Sequence, residues 1–374
     1  MSQGAEKRGI VVIGAGIAGA SVAAELSAAG QDVLLLERET APGYHTTGRS
    51  AALFTPTYGP PVIRALTRAS AAALMAPPTA DRPHPFLRPR AVLSLARSDQ
   101  AETLATRQAE LGCAILSEAE AMDQLPLLRP GYAIGALVDP DAADIDVEAL
   151  HRQYLRALGP ALRLKTEVTH LSRDGAGWRV DTPAGAIQAD IVVNAAGAWA
   201  DALADMAGVT RIGLVPRRRT AVLVAAPDGT RPDAWPMAVD VEEQFYIRPE
   251  AGKLLLSPAD ETPSPPCDAQ PDELDVAIAI DRVQAAFDLP VRRVDHKWAG
   301  LRSFVGDKAP VAGHDPDAPG FVWLAGQGGY GIQSAPALAR TAAALALGRP
   351  IPAQIADEGV TAEALSPGRP GLRA

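Results

Sequence analysis

Cysteine is scarce. The 374 residues contain two, Cys113 and Cys267, isolated and far apart. That excludes a disulfide framework, a CxxC redox pair and a cysteine metal site, and it fits packed or surface thiols in a reducing compartment. No metal-ligand spacing occurs, so no metal is expected. Long apolar runs are missing too. No stretch of 18 or more apolar residues is present, so no transmembrane helix is expected. Positive charge is not concentrated either: the formal net charge is −9 and there is no long basic block, which argues against nucleic acid as a partner. One segment imitates a targeting signal, "EKR" followed by "GIVVIGAGIAGASVAAEL". Its glycine placement, Glu25 and the strand pattern after it argue against that, and a cytoplasmic location is expected. No internal repeat is visible.

What remains is an ordinary soluble composition, 47% hydrophobic and 21% charged, in a chain long enough for two domains. "GIVVIG" (9–14) is a continuous branched run of the buried parallel-strand type. A helix is expected over Ala15–Ala29, stopped by Gly30, with a second strand at 32–37. The polar, turn-rich stretch after it, to Pro61, suits a functional loop. Further on, strands are expected at 91–96, 190–195, Val215–Val224 and 321–325, and a hairpin around Pro249–Gly252. Helices are expected at Ala101–Leu111, Glu118–Gln124, 144–158 and Asp272–Leu289. A last helix holds Pro336, which is tolerable only in a first turn, and ends at Gly348. Buried-type strands at the start, middle and end, with exposed-type strands between, imply an α/β fold. A discontinuous Rossmann-like domain (1–88, 144–214 and 303–374) would carry an inserted α+β substrate domain built on an antiparallel sheet (89–143 and 215–302).

"GAGIAG" (14–19) is GxGxxG, directly after a strand and opening a helix. Gly14 permits the tight turn, Gly16 lets backbone approach a pyrophosphate, and Gly19 lets helix and strand pack closely. The helix N-terminus, through Ala15, Ile17 and Ala18, offers free N–H groups and a positive dipole. Glu37 stands where a ribose hydroxyl is usually bound, and an acid there disfavours a 2′-phosphate. The long loop "GYHTTGRSAA" suits the extended dinucleotide FAD better than NAD, and the lack of a second GxGxxG disfavours a two-nucleotide reductase. A second glycine loop, "GQGGYGIQ" (326–333), follows the last buried strand. Four glycines in eight residues imply that backbone passes close to something.

"VIGAGIAGASVAAELSAAGQDVLLLERETAPGYHTTGRSAA", "VVNAAGAWAD", "QFYIRP", "WAGLRSFV" and "AGQGGYGIQ" occur together and in order. With them the chain resembles the D-amino-acid oxidase family of FAD enzymes, which includes glycine and sarcosine oxidases, over nearly its whole length. Within that family it is similar to the bacterial D-arginine dehydrogenases. The resemblance implies non-covalent FAD held by the first loop and Glu37, by Arg38, His45, Thr47, Gly48, Arg49, Ser50, Ala51 and Ala52, and by Val168, Ala196, Gly197 and Trp199. It places Gly328, Gly329, Tyr330, Gly331, Ile332 and Gln333 at the flavin ring. His45 matches a position that carries covalent FAD in some dimethylglycine-type relatives, and it reads better as a plain loop residue.

The implied reaction oxidises a C–N bond by hydride transfer to flavin N5, after which water converts the imine to a 2-oxo acid and ammonia. The substrate would be a D-amino acid, and the electron acceptor a quinone, a dye or oxygen. Arg302, also expected beside the flavin, matches the carboxylate-binding arginine, where a bidentate fork suits the task. Arg219 matches a second substrate-facing arginine, whereas Arg217 and Arg218 read as a solvated strand face. Tyr58, Tyr246, Tyr330 and Gln333 complete the expected substrate contacts. Where D-arginine dehydrogenases meet a guanidinium with a glutamate and line the pocket with a histidine, this chain has Val92 and Leu53. An apolar pocket does not repay desolvation of a cation, so neutral, hydrophobic D-amino acids are expected over D-Arg and D-Lys. Oxygen-using oxidation of glycine-, sarcosine- or proline-type amines, and a non-catalytic FAD-binding module, are the alternatives.

Overall fold

The structure is a computed structural model that describes residues 5–372. Among these residues the first sheet is built on Glu6–Ile13, which pairs in parallel with Val33–Leu36 on one side and Gly185–Asn194 on the other. Phe321–Ala325 extends it in parallel beyond Gly185–Asn194, and an antiparallel meander (His170–Asp174 and Gly177–Thr182) closes one edge. Val33–Leu36 and Phe321–Ala325 are buried at every position, as strands covered on both faces must be. Helices Ile17–Ala28 and Gly331–Ala346 cover one face, and Ala200–Met206 helps to cover the other.

The second sheet runs in the order Val294–Phe304, Val215–Ala225, Lys253–Ser257, Tyr246–Glu250, Met237–Asp240, Val92–Ala96, Gly135–Asp139, Ala114–Leu116. It is antiparallel with one exception: Met237–Asp240 lies parallel to Val92–Ala96. That pair joins two stretches of chain that are remote in sequence. Alternation along the strands divides the sheet's faces. Leu93, Ala136, Val222, Ala238, Ile247 and Leu256 pack with Val276, Ala279 and Val283 of helix Glu273–Ala286 into one core. The residues between them turn to the opposite face and floor a cleft against the first sheet. A small third sheet, Leu53–Phe54, Ala143–Ile145 and Leu87–Pro89, closes the side.

Several boundaries differ from expectation for identifiable reasons. The first helix begins at Ile17, because Ala15 and Gly16 are spent on the turn that precedes it. The expected helix over 144–158 begins at Val147: Asp144 belongs to a strand, and the Asp146 carboxylate caps the helix by accepting the Ala149 N–H. The expected helix to Leu289 stops at Ala286, where Phe287 leaves to bridge with Leu128. The loop after Glu37 contains a short helical turn at Thr47–Arg49 and the strand Leu53–Phe54.

Pro336 is not in a first turn. It is the sixth residue of Gly331–Ala346, so it costs the helix one hydrogen bond, about 3 kcal/mol in an ordinary helix interior. Burial of Ile332 and Leu338 in the same helix offsets that, at roughly 1.5–3 kcal/mol for each fully buried side chain. No helix among the described residues is long and apolar enough to cross a membrane.

Candidate active site

The first glycine loop is shaped by the protein itself. Gly14 has φ +103, and a Cβ there would stand 2.6 Å from the Ala195 carbonyl oxygen; a Cβ on Gly19 would stand 1.8 Å from the Gly14 carbonyl oxygen. Two of its N–H groups are already engaged. Ala15 N–H donates to Glu37 Oε2 at 2.8 Å, and Ile17 N–H donates to Thr47 Oγ1 at 3.0 Å. The expectation that the whole turn offers free donors is thus too generous, although Gly14, Gly16, Ile17 and Ala18 all line the cleft. Ala15 and Gly19 are buried behind it.

One supporting residue was not foreseen. His151 Nε2 lies 3.0 Å from the Ala15 carbonyl oxygen and donates to it, while the ring abuts Gly43. Burial pulls the His151 pKa down, which keeps the imidazole neutral. The available signal was a lone histidine on the apolar face Leu150, Tyr154, Leu158.

Beyond the loop the cleft has an approximate volume of 460 Å³. Glu37, Arg38, Val168, Leu203 and Met206 line one end, the last two unforeseen. In the middle, His45 Nε2 donates to Glu39 Oε1 at 2.9 Å and its ring lies against Trp199, over which the Arg38 guanidinium also sits at 4.0 Å. Thr47, Arg49, Ser50, Ala51, Ala52, Ala196 and Gly197 line this section as well. The Arg49 guanidinium, however, turns away to the Ala269 and Ala299 carbonyls and to Asp268, pinning the Thr47–Arg49 turn to the second sheet. Gly48 is not on the cleft wall; its N–H donates to the Gly43 carbonyl.

At the other end stands the second glycine loop, where the neighbours are the side chains of Arg302 and Phe304. A Cβ on Gly329 would lie 2.6 Å from the Arg302 guanidinium carbon, and one on Gly328 2.1 Å from the Phe304 ring. Gly331, Ile332 and Gln333 also face the cleft. Gln333 Oε1 accepts the Thr55 N–H at 3.0 Å, which leaves its buried Nε2 without a partner, as is that of Gln327.

Arg302 and Arg219 meet here. Burial works against the Arg302 charge, but Tyr58 and Tyr246 outweigh it and hold the guanidinium firmly cationic. Burial, then the Arg302 charge, pull the Arg219 pKa down, and Arg219 is steadied by the Asp260 carbonyl at 2.8 Å and Glu261 at 3.4 Å. Tyr58 donates to Glu243 at 3.3 Å, and Tyr246 rises from the sheet floor beside Val239.

Two expectations change at this end. Tyr330 does not line the cleft: it is buried behind Tyr58, centroids 5.0 Å apart, and against Phe304. Arg218 is no solvated strand residue, since it pairs with the buried Asp275 at 2.7 Å. Val92 and Leu53 do line the pocket, but so do Ser94, Arg107, Asp139 and Glu243, so the wall is apolar only in part.

The donor set fits a flavin dinucleotide. Two buried amide N–H₂ groups lack partners beside the second loop, and Gly328, Gly329 and Gly331 of that loop line the cleft. A glycine turn between a parallel strand and a helix, opening on a cleft that also holds Arg219 and Arg302, fits a flavin-dependent oxidoreductase. Residues 9–345 match the family described as DAO, FAD dependent oxidoreductase, and the chain belongs to it and binds FAD. A glycine oxidase from Geobacillus kaustophilus (strain HTA426) is 28% identical over 225 residues, 59% of this chain and 58% of that one. The match therefore spans less than two thirds of that relative. The crystal structure of glycine oxidase from Geobacillus kaustophilus superposes with TM-score 0.78 at 23% identity, covering 92% of this chain and 95% of that one. L-proline dehydrogenase from P.horikoshii gives TM-score 0.77 at 23% identity, covering 97% of each. These relatives support the family and not the narrower likeness to D-arginine dehydrogenases.

Proposed function

We propose that the protein is an FAD-dependent D-amino-acid dehydrogenase, acting on neutral and mainly apolar substrates in preference to D-Arg and D-Lys. The observation that carries this reading is the Arg219–Arg302 pair, two half-buried guanidiniums that line the cleft close enough for the Arg302 charge to depress the Arg219 pKa, Arg302 lying beside the second glycine loop. Like charges held this way repel, and an incoming carboxylate relieves the repulsion while accepting the bidentate fork. FAD, when bound, supplies the two-electron acceptor for a hydride from the amine-bearing carbon. The chain's own part is orientation and charge. Arg302 and Arg219 hold the carboxylate, Tyr58 and Tyr246 bracket it, and the apolar surface of Val92, Leu53 and Met237 takes the side chain. Water then hydrolyses the imine to a 2-oxo acid and ammonia. Residues 1–88, 144–214 and 303–374 form the cofactor domain in this reading, and 89–143 and 215–302 the substrate domain.

A second reading is favoured by the relatives: oxidation of glycine-, sarcosine- or proline-type amines with oxygen. A non-catalytic FAD module is disfavoured, because it would retain the half-buried arginine pair at a cost with nothing to bind. One experiment separates all three. The purified yellow protein is mixed anaerobically with D-, L- and N-methyl amino acids, and flavin bleaching is followed. Rapid bleaching by D-Leu, D-Met or D-Phe supports the proposal; faster bleaching by D-Arg overturns the preference, by L-amino acids the stereochemistry, and by sarcosine or proline the substrate class. Comparing oxygen with an artificial dye as acceptor distinguishes oxidase from dehydrogenase. Release of all flavin on acid precipitation is the result expected for non-covalent FAD.

A further inference from the structure

The far end of the substrate pocket carries a carboxylate that the reading above does not use. Asp139 ends the strand Gly135–Asp139 and lies directly opposite Val92 in the sheet register, so the two side chains share one face and both line the cleft. The acid is built in. Asp139 Oδ2 accepts the Thr57 hydroxyl at 2.6 Å, Oδ1 accepts the Asp141 N–H at 3.2 Å, and the Ala142 N–H also bonds to it. All three partners are neutral. A carboxylate offers about four lone-pair positions, so one remains. The cation nearest in role, Arg107, is directed instead to Glu243 at 3.5 Å.

We propose that Asp139, positioned by Thr57, is the recognition group for a hydrogen-bond donor at the distal end of the substrate side chain. The occupant is an amino acid with a long, mainly apolar side chain tipped by a neutral donor such as a phenol, an indole N–H or an amide. This rests on the proposed function and sharpens it. Length follows from the sheet. Tyr246 and Asp139 stand on strands three places apart, about 14 Å between strand axes at the usual spacing, with Val239, Val92 and Ser94 on the floor between them. Neutrality follows from charge: Arg107, Arg219 and Arg302 against Asp139 and Glu243 leave one positive charge, which the substrate carboxylate balances, so a cationic side chain would be in excess. A donor-free side chain would bury one acceptor position of Asp139 unpaired, the situation that discriminates most strongly between close analogues.

The test compares near-isosteric pairs on the FAD-loaded enzyme: D-Tyr against D-Phe, and D-Gln against D-Met. The wild type is expected to favour the donor-bearing member by about 10-fold or more in kcat/KM. In Asp139→Leu the ratio falls to about 1 or inverts. Asp139→Asn, which keeps an acceptor oxygen and the Thr57 contact, retains part of the preference and guards against misfolding of the leucine variant. A structural role for Asp139 would lower both members of each pair equally; an unchanged ratio in either variant, or no preference in the wild type, overturns the proposal. Binding of the unreactive acids 3-(4-hydroxyphenyl)propanoate and 3-phenylpropanoate, read from perturbed flavin absorbance, makes the same comparison without turnover. If no amino acid bleaches the flavin, the functional reading falls, and the acids still decide for Asp139: tighter binding of the phenol supports it, while equal or absent binding ends it. A preference for D-Lys that is lost in Asp139→Leu would keep Asp139 in its role and overturn neutrality alone.

Discussion

The two glycine loops border one cleft, so close together that a Cβ on Gly331 would lie 3.9 Å from Ile17, and they look alike in sequence, but their glycines answer different constraints. In residues 14–19 the absent side chains make room for the protein's own backbone: Gly14 against Ala195, Gly19 against Gly14. In residues 326–331 they make room for Arg302 and Phe304. The first loop is a packing device that presents a helix end. The second is a clearance that lets a charged side chain stand close beside backbone. Damage to the first is therefore expected to appear as lost fold and cofactor, and damage to the second as lost chemistry.

The largest effect that would sharpen this contrast is on Arg302. Arg302→Leu is expected to lower kcat/KM by about 10³-fold, the order seen when one partner of a buried charge pair is removed, while flavin content stays near wild type. Loss of FAD in this variant would break the contrast. Next comes Gly19→Ala, whose Cβ would meet a carbonyl at 1.8 Å. Overpacking of this kind costs about 1–3 kcal/mol or more, so a lower Tm and a reduced flavin content are expected, with kcat per bound flavin unchanged.

Tyr330 offers a smaller test. Its ring only backs Tyr58, so Tyr330→Phe is expected to change kcat/KM by less than about threefold, whereas Tyr58→Phe, which loses a hydroxyl inside the pocket, should cost about 5–10-fold. The smallest effect is one of pH at the first loop. The His151 pKa is lowered in the fold, so the native state binds fewer protons than the unfolded chain. That contribution is fully present above the ordinary value of 6.5 and is lost as pH falls below it through the folded value. Urea midpoints should drop on acidification across this window, and the drop should be shallower in His151→Gln.

Much of the nucleotide end was legible in the sequence, because its signal is local: strand, GxGxxG, helix and acid follow one another within a single β-α-β unit. The same holds for the strand Phe321–Ala325 and for the helices Ala101–Leu111 and Glu118–Gln124, which coincide with expectation. Asp139 and His151 were missed because their meaning is set by partners far along the chain, Thr57 and Val92 for one and Ala15 for the other. Tyr330 was misplaced for a related reason. Chain position brings it to the second loop, but the aromatic neighbours Tyr58 and Phe304 decide which way its ring turns. Pro336 shows burial overriding local propensity: a rule about proline in helices yields when the helix is the covered face of a sheet.

The parallel pairing of Val92–Ala96 with Met237–Asp240 has a consequence in time. On a ribosome adding about 5–20 residues per second, Val92 emerges roughly 7–30 seconds before its partner Met237. Through that interval the second sheet has an open edge, and Asp139 has no completed pocket to face. Contacts of such separation form late and slowly. The part of the cleft floored by the second sheet is thus expected among the last parts of the molecule to be assembled in each round of synthesis, and the stretch of chain that waits for it is where a chaperone would find its hold.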